Sequence, residues 1–290
     1  MDAVTCLLNA GNMLGESPVW SAREQALYWV DSRAPSMHRY DPSTGTVDST
    51  ALPSLVGSIG LRQGGGFILG LRDGVYTTDS FGGELSLLAD PERQSPDNRF
   101  NDGRCDRQGR FWAGTMNDRS RDPTGALYKI EPDSTCTLMG DDIIVPNSLA
   151  WSPDDKRMYF ADTYRHSIFV YDFDADQGRL GPRQLFVDTK NHPGRPDGSC
   201  IDDSGCLWNA EYAGGRVVRY TPGGVIDTVI DMPVSQPSCC CFGGPDLDIL
   251  FITSATQRMT PEQKAAEPLA GGLFALRVGA QGMPEPMFAG

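Results

Sequence analysis

Short runs of apolar and aromatic residues recur along the chain, and each is followed by a loop and a second run of strand-forming residues. Runs of this kind, bounded by Gly, Pro, Asp and Ser, predict β-hairpins. The first runs begin roughly 40 to 49 residues apart, which is the length of one propeller blade. The six first runs cover residues 27–30, 67–70, 111–114, 158–161, 207–210 and 250–253.

The second runs keep the same order and cover residues 37–41, 75–79, 127–131, 168–172, 217–221 and 273–277. Because these hairpins fill nearly the whole chain, the pattern predicts an all-β fold, a six-bladed β-propeller that forms a single domain over residues 1–290. One helix is expected at residues 260–267, in a loop of the last blade, since proline at position 261 is typical of a first helical turn. The recurring tryptophans are expected in the core.

Polar side chains recur at one phase of this repeat. Each blade should begin with an inner strand about ten or eleven residues before its aromatic run, and equivalent positions in the blades form a ring around the central channel. In four blades this position holds Glu16, Asn101, Asn147 and Asp197. In the other two it falls at Val56 or Gly57 and at Cys239 or Cys240.

The four polar ring positions predict a cation site. Two carboxylates and two amides near one axis are unfavourable without a cation or bound water. Oxygen ligands suit Ca²⁺, Mg²⁺ or Mn²⁺ and can also hold Zn²⁺ or Fe²⁺. We therefore expect one divalent metal ion, whose identity the residues leave open. A channel that is merely wet and polar is the alternative interpretation.

The formal net charge of −13 disfavours nucleic acid and anionic membranes as partners, because both are negatively charged. The N-terminal residues lack the basic and apolar regions of a signal peptide. Eight cysteines occur without a Cys-x-x-Cys pair, and three of them are consecutive. This usage predicts free thiols and a cytoplasmic protein. We also expect either a monomer or a small homo-oligomer.

Motifs of other hydrolases are absent from the sequence. It has no Gly-x-Ser-x-Gly elbow, no His-Glu-x-x-His pair and no phosphate-binding glycine loop. The three histidines are scattered, and His166 and His192 fall in loops that could border a pocket. Nucleophilic serine chemistry and zinc-protease chemistry are therefore disfavoured.

At the ring positions the sequence resembles the regucalcin/gluconolactonase family of senescence-marker-protein-like sugar lactonases. The resemblance extends over essentially the whole chain in order, and the set of short motifs is more specific than any one of them. The matching stretches are residues 15–20 (GESPVW), 99–103 (RFNDG), 114–116 (GTM), 146–154 (PNSLAWSPD), 159–163 (YFADT), 196–198 (PDG), 242–246 (FGGPD) and 269–274 (LAGGLF).

The resemblance implies a six-bladed propeller that binds one divalent metal through Glu16, Asn147 and Asp197. It also implies that Arg99 and Asn101 contact the hydroxyl groups of a sugar. One stretch departs from the pattern: after Gly-Thr-Met, the best-known relatives carry acidic residues that help to bind the sugar. Here Asp118 can take that role, but Arg119 stands where a carboxylate is expected.

The function that the resemblance implies is metal-dependent hydrolysis of a sugar (aldono-) lactone to the sugar acid, in carbohydrate metabolism. A metal ion can polarise the lactone carbonyl and stabilise the oxyanion, and Asp197 is the candidate general base for water. Two alternatives stay open, because a propeller fold hosts many functions. One is hydrolysis of another ester or an organophosphate, and the other is a calcium-binding propeller without catalysis.

Overall fold

Six antiparallel sheets follow one another along the chain in the computed structural model, which describes residues 2–290. We number them as blades in chain order. Blade 1 contains β2 (Gly15–Ser21), β3 (Ala26–Asp31), β4 (Ser36–Asp41) and β5 (Thr46–Ala51). Blade 2 contains β6 (Val56–Leu61), β7 (Phe67–Leu71), β8 (Gly74–Thr78) and β9 (Ser86–Ala89). Blade 3 contains β10 (Asn98–Cys105), β11 (Phe111–Asn117), β12 (Gly125–Ile130) and β13 (Cys136–Ile143).

The second half of the chain repeats this arrangement. Blade 4 contains β14 (Pro146–Trp151), β15 (Arg157–Asp162), β16 (Ser167–Asp174), β17 (Arg179–Leu180) and β18 (Gln184–Asp188). Blade 5 contains β19 (Arg195–Ile201), β20 (Leu207–Tyr212), β21 (Arg216–Tyr220) and β22 (Ile226–Asp231). Blade 6 contains β23 (Pro237–Gly243), β24 (Ile249–Ser254), β25 (Leu273–Arg277) and the N-terminal β1 (Thr5–Leu8).

The first strands of the six blades pack side by side and close into a ring. In order around the axis, β2 contacts β6, β6 contacts β10, β10 contacts β14, β14 contacts β19, β19 contacts β23, and β23 contacts β2. The later strands of each blade lie progressively further from the axis. This arrangement confirms the prediction of an all-β, six-bladed propeller, and the aromatic runs form the second strand of every blade.

The ring is closed by the two ends of the chain. Strand β1 pairs antiparallel with β25, so that Thr5 lies opposite Ala275 and Cys6 opposite Phe274. The N-terminal strand therefore becomes the outermost strand of the last blade. This pairing covers an edge that would otherwise be exposed, and the sequence reasoning did not predict it.

Aromatic side chains fill the spaces between and within the blades. Trp112 packs against Trp151 and Phe173, and Trp20 stacks on Phe251. A carboxylate from the preceding turn fixes some of these rings, as when Trp208 Nε1 donates to Asp202 Oδ2 at 3.0 Å. The expectation that the tryptophans are core residues is confirmed, because all of them are buried.

Two short helices lie in loops. The α-helix α1 (Pro261–Ala266) lies between β24 and β25, and Thr260 caps it through a hydrogen bond from the Gln263 N–H. The helix expected at residues 260–267 is thereby confirmed. A single 3₁₀ turn, Thr163–Arg165, follows β15. No helix within residues 2–290 is long and apolar enough to cross a membrane.

Candidate functional site

Every inner strand carries a β-bulge at the same place, and the four polar ring positions lie at or beside it. The pairing register shifts just after Glu16, Phe100, Asn147 and Pro196 in their respective strands. A bulge re-aims side chains and strengthens the local twist. As a result, Glu16, Asn101, Asn147 and Asp197 line one pocket at one end of the channel.

The residue that follows each ring position bonds or packs against the next blade. Ser148 has a φ of 61°, and its hydroxyl donates to the Asp197 carbonyl at 2.6 Å. A Cβ on Gly198 would lie 2.2 Å from Cys239 Sγ, and one on Gly57 would lie 2.3 Å from the Asn101 carbonyl oxygen. The absence of a side chain at Gly57 is therefore explained by the close approach of β6 and β10.

Glu16 and Asp197 both lie at the pocket, and neither forms an ion pair with the residues that the structure describes. Neither carboxylate has an ion-pair partner or a side-chain hydrogen-bond donor among residues 2–290. Burial raises the pKa of Glu16 well above its usual value, and the charges of Asp197 and Asp102 raise it further against the opposing charge of Arg99. Burial and Asp102 have the same effect on the pKa of Asp197, which is 6% exposed.

Asn147 is held in one orientation by its neighbours. Its Nδ2 donates to Thr163 Oγ1 at 2.7 Å, and the Thr163 hydroxyl donates to the Pro196 carbonyl at 2.8 Å. Its Oδ1 accepts from Asn101 Nδ2 at 3.2 Å. The Asn147 amide therefore points its oxygen, and not its N–H₂ group, toward the other polar ring positions.

The donor set of this ring fits a hard divalent cation. Two carboxylates, one buried and one half-buried, and an oriented amide oxygen are acceptors, and such oxygen atoms are the ligands that Ca²⁺ and Mg²⁺ prefer. No cluster of three or more His, Cys, Asp or Glu side chains in the described part of the chain is arranged to hold a metal. Binding here would therefore need the Asn147 amide in addition to Glu16 and Asp197.

Arg99 and Asn101 form a fixed pair on the pocket wall. Arg99 Nη1 donates to Asn101 Oδ1 and to the Phe100 carbonyl, both at 2.8 Å. Asn101 Nδ2 also donates to the Pro146 carbonyl at 2.9 Å. Both residues line the pocket, so the structure brings together five of the six residues predicted for the site.

Asp118 is the sixth, and it lies behind the wall of the pocket. Its carboxylate accepts hydrogen bonds from Arg33 at 2.8 Å, Arg99 at 2.9 Å and Arg121 at 3.2 Å. Burial alone would raise the pKa of Asp118, but the hydrogen bonds and charges of Arg33 and Arg99 hold it well below its usual range. The neighbouring Arg119 side chain is 82% exposed. A direct contact of Asp118 with a sugar stays a prediction.

Several pocket residues were missed by the sequence reasoning. They are Arg33, Arg121, Thr163, Tyr164, Arg195, Tyr212 and Arg258. Most of them lie in the loops and strand ends around the mouth, which follow no phase of the repeat. Asp102, next to Asn101, was also missed; it accepts from the Leu149 N–H at 3.1 Å. The two loop histidines that could border a pocket, His166 and His192, do not line this one.

Comparison with known proteins agrees with this architecture. The sequence model of the family described as "SMP-30/Gluconolactonase/LRE-like region" matches residues 14–256. The chain is 42% identical to a Pseudomonas putida protein named 6-deoxy-6-sulfogluconolactonase, over 100% of this chain and 99% of the relative. It is 35% identical to regucalcin of Xenopus laevis, over 99% of this chain and 98% of the relative.

Solved structures give the same result. The structure of a calcium-binding protein, regucalcin, from Agrobacterium tumefaciens superposes with a TM-score of 0.94 and 30% identity, covering 98% of this chain and 96% of that one. The match extends over all the blades, and the family match includes the four polar ring positions. The chain therefore belongs to the SMP-30/gluconolactonase/LRE-like family.

Proposed function

We propose that this chain hydrolyses a sugar lactone to the sugar acid, with one divalent metal ion held by Glu16, Asn147 and Asp197. The observation that carries the proposal is the pair of carboxylates at the pocket, Asp197 buried and Glu16 half-buried, which form no ion pair within residues 2–290. Membership of the family and the name of the Pseudomonas putida relative support a lactone as substrate. That name denotes a lactone that carries a sulfonate, so charged lactones belong among the candidates.

The metal ion, when bound, supplies a Lewis acid that polarises the ester carbonyl and stabilises the oxyanion. Ca²⁺, Zn²⁺, Mg²⁺, Mn²⁺ and Fe²⁺ are all compatible with oxygen ligands. The Agrobacterium relative is described as calcium-binding, which makes Ca²⁺ the first ion to test.

Asp197 is the residue we propose as general base. Its carboxylate lies at the pocket and accepts no side-chain hydrogen bond within residues 2–290. An oxygen that is free of donors can accept a proton from a water molecule that attacks the lactone carbonyl. The Ser148 and Asn209 side chains both donate to the Asp197 main-chain carbonyl, so its backbone is held in place.

Arg99 and Asn101 are proposed to orient the sugar ring. The Arg99 side chain is held by Asp118 and by the Phe100 carbonyl, and it in turn holds the Asn101 amide. Rigid polar groups of this kind place a substrate in one pose and thereby lower the entropic part of the barrier. Asp118 would then act on the sugar through the position of Arg99.

A pH-indicator assay tests the proposal. Protein freed of metal with a chelator is supplied with Ca²⁺, Mg²⁺, Mn²⁺, Zn²⁺ or Fe²⁺ and tested on five- and six-membered sugar lactones, an aryl ester and an organophosphate. We expect lactone hydrolysis above the spontaneous rate with at least one ion and none after chelation. Rates equal to the spontaneous rate in every combination would overturn the proposal. Metal binding without any turnover would instead indicate a calcium-binding propeller.

A further inference from the structure

The pocket is far more basic than the protein as a whole. The chain has a formal net charge of −13, yet five arginines and only two carboxylates line this pocket. The arginines are Arg33, Arg99, Arg121, Arg195 and Arg258. The two carboxylates, Glu16 and Asp197, are the proposed metal ligands, so a divalent ion would make the pocket more positive still.

One carboxylate behind the pocket serves three of these arginines. Arg33, Arg99 and Arg121 all bond to Asp118, and a single negative charge cannot neutralise three guanidinium groups. Burial and the charges of Arg33 and Arg121 lower the pKa of Arg99 to about 10, against the opposing effect of Asp118. The excess of positive charge within this cluster therefore contributes to the lowered pKa of Arg99.

The other two arginines have no acidic partner. Neither Arg195 nor Arg258 forms an ion pair with any carboxylate in residues 2–290. The Arg195 guanidinium lies 4.6 Å from the centre of the Tyr164 ring. A guanidinium stacked on an aromatic ring keeps its N–H groups available in the plane of the fork.

Two further arginines of the pocket, Arg121 and Arg258, lie close to Tyr164. Burial alone would raise the pKa of Tyr164, but the neighbouring guanidinium groups of Arg258 and Arg121 lower it. Arg121 and Arg258 have φ values of 64° and 62°, a left-handed conformation that residues other than glycine rarely adopt. Backbone strain of this kind tends to occur at binding sites. Three arginines thus converge on one tyrosine at the mouth of the pocket.

The 3₁₀ turn connects this cluster to the proposed metal site. Thr163 holds the Asn147 amide through a 2.7 Å hydrogen bond. The next residue, Tyr164, packs against Arg195 of the arginine cluster. Both residues line the same pocket. A small substrate that reaches the metal ligands with one end therefore has the arginine cluster beside it.

We propose that Arg121, Arg195 and Arg258, gathered around Tyr164, form a subsite for a negatively charged group on the sugar. This inference rests on the proposed function and deepens it, because it makes the preferred substrate an anionic lactone. The guanidinium fork matches the oxygen atoms of sulfonate, phosphate and carboxylate groups. The anionic group would lie away from the lactone carbonyl, which belongs at Glu16 and Asp197.

Calorimetric titration with unreactive ring sugars tests the subsite directly. The probes are glucose, 6-deoxy-6-sulfoglucose, glucose 6-phosphate and glucuronate, added to calcium-loaded protein. We expect at least one charged sugar to bind roughly tenfold or more tightly than glucose, as expected for a charge-assisted hydrogen bond. The charged sugar that binds best identifies the anion. Equal affinity for glucose and for every charged sugar, or no binding of any of them, would overturn the inference.

Matched variants assign the effect to residues. Arg195→Gln and Arg258→Gln should each weaken binding of the preferred charged sugar roughly tenfold and leave glucose within about twofold. Arg119→Gln is the control, because it removes the same charge from a nearby side chain that is 82% exposed and lies outside the pocket lining. Loss of affinity in all three variants alike would show only a long-range field and would contradict a subsite.

Hydrolysis separates this inference from the proposed function. If neutral and anionic gluconolactones are hydrolysed with equal kcat/KM, the lactonase proposal stands and the anion subsite falls. If no lactone is hydrolysed but the charged sugars bind through Arg195 and Arg258, the lactonase proposal falls and the subsite stands. We expect kcat/KM to favour the anionic lactone by roughly tenfold or more, with the preference lost in Arg258→Gln.

Discussion

The Thr163 hydroxyl accepts a hydrogen bond from Asn147 Nδ2 at 2.7 Å and donates one to the Pro196 carbonyl. Because the hydroxyl proton is already used, the Thr163 oxygen can only accept. Asn147 must then turn its N–H₂ group toward Thr163 and its oxygen toward the ring. A residue outside the proposed ligand set therefore decides which end of Asn147 faces the metal.

Replacing Thr163 should therefore weaken metal binding without unfolding the protein. We expect Thr163→Val to lower the affinity for the activating ion roughly tenfold to one hundredfold, as is usual when a partner that orients a ligand is lost. Thr163→Ser keeps the hydroxyl and should retain wild-type affinity. Isothermal titration with the metal measures both, and equal affinity of all three proteins would show that Thr163 does not orient Asn147.

Removing one of the two facing carboxylates should stabilise the metal-free protein. In Glu16→Gln the repulsion among Glu16, Asp197 and Asp102 is reduced, which we expect to raise the free energy of unfolding by about 1 kcal/mol. The same variant should lose the stabilisation that metal gives to the wild type. Melting temperatures with chelator and with metal test this, and Glu84→Gln, an exposed residue, is the control. A lower melting temperature of metal-free Glu16→Gln would contradict the account.

Asp118 should make a large, pH-dependent contribution to stability. Its pKa is lower in the folded protein than in the unfolded chain, so the stabilisation is present above the unfolded value of about 4 and is lost as the pH falls below it. We expect Asp118→Asn to cost roughly 3 kcal/mol at pH 7, with a smaller difference from wild type in acid.

Urea denaturation of the Asp118 variant at several pH values makes this measurement. Asp79→Asn is the matched control, because its ion pair with Arg62 is on the surface and Asp79 is 98% exposed. Exposed pairs contribute little, so this variant should stay within about 0.5 kcal/mol of wild type. A pH-independent loss in Asp118→Asn would show that the network acts through packing rather than charge.

Gly57 should tolerate no side chain. A Cβ there would lie 2.3 Å from the Asn101 carbonyl oxygen, so Gly57→Ala should push β10 away from β6 and destabilise the protein by roughly 1 to 3 kcal/mol. Gly64→Ala is the control, because nothing lies within 4 Å of its Cβ position. Denaturant titration compares the two, and equal stability of both variants would contradict the close approach of these strands.

The repeat allowed much of the fold and the ring to be predicted. Equivalent positions of a propeller meet at its axis, so the phase of Glu16, Asn147 and Asp197 was enough to bring them together. The arginine cluster could not be predicted this way, because Arg121 and Arg258 lie in loops that follow no repeat. Strand β1 was missed because its partner, β25, lies at the other end of the chain, and such non-local pairing leaves no local pattern.

The role of Asp118 also depended on the fold. The sequence places it next to Arg119 and far from Arg33, yet the structure turns Arg119 outward and brings Arg33 to the Asp118 carboxylate. A carboxylate that the sequence suggested for sugar binding thereby holds three arginines. The spacing along the chain carries no information about which of the two arginines pairs with it.

The most direct measurement is the rate of sugar-lactone hydrolysis as metal ion is added back to chelated protein, for wild type and for Asp197→Ala. We expect the wild-type rate to rise from the spontaneous value and saturate with one ion per chain. Asp197→Ala should remain at the spontaneous rate at every metal concentration while keeping the circular dichroism spectrum of the wild type. Wild-type hydrolysis that persists without metal, or full activity in Asp197→Ala, would contradict a catalytic metal site formed by Glu16, Asn147 and Asp197.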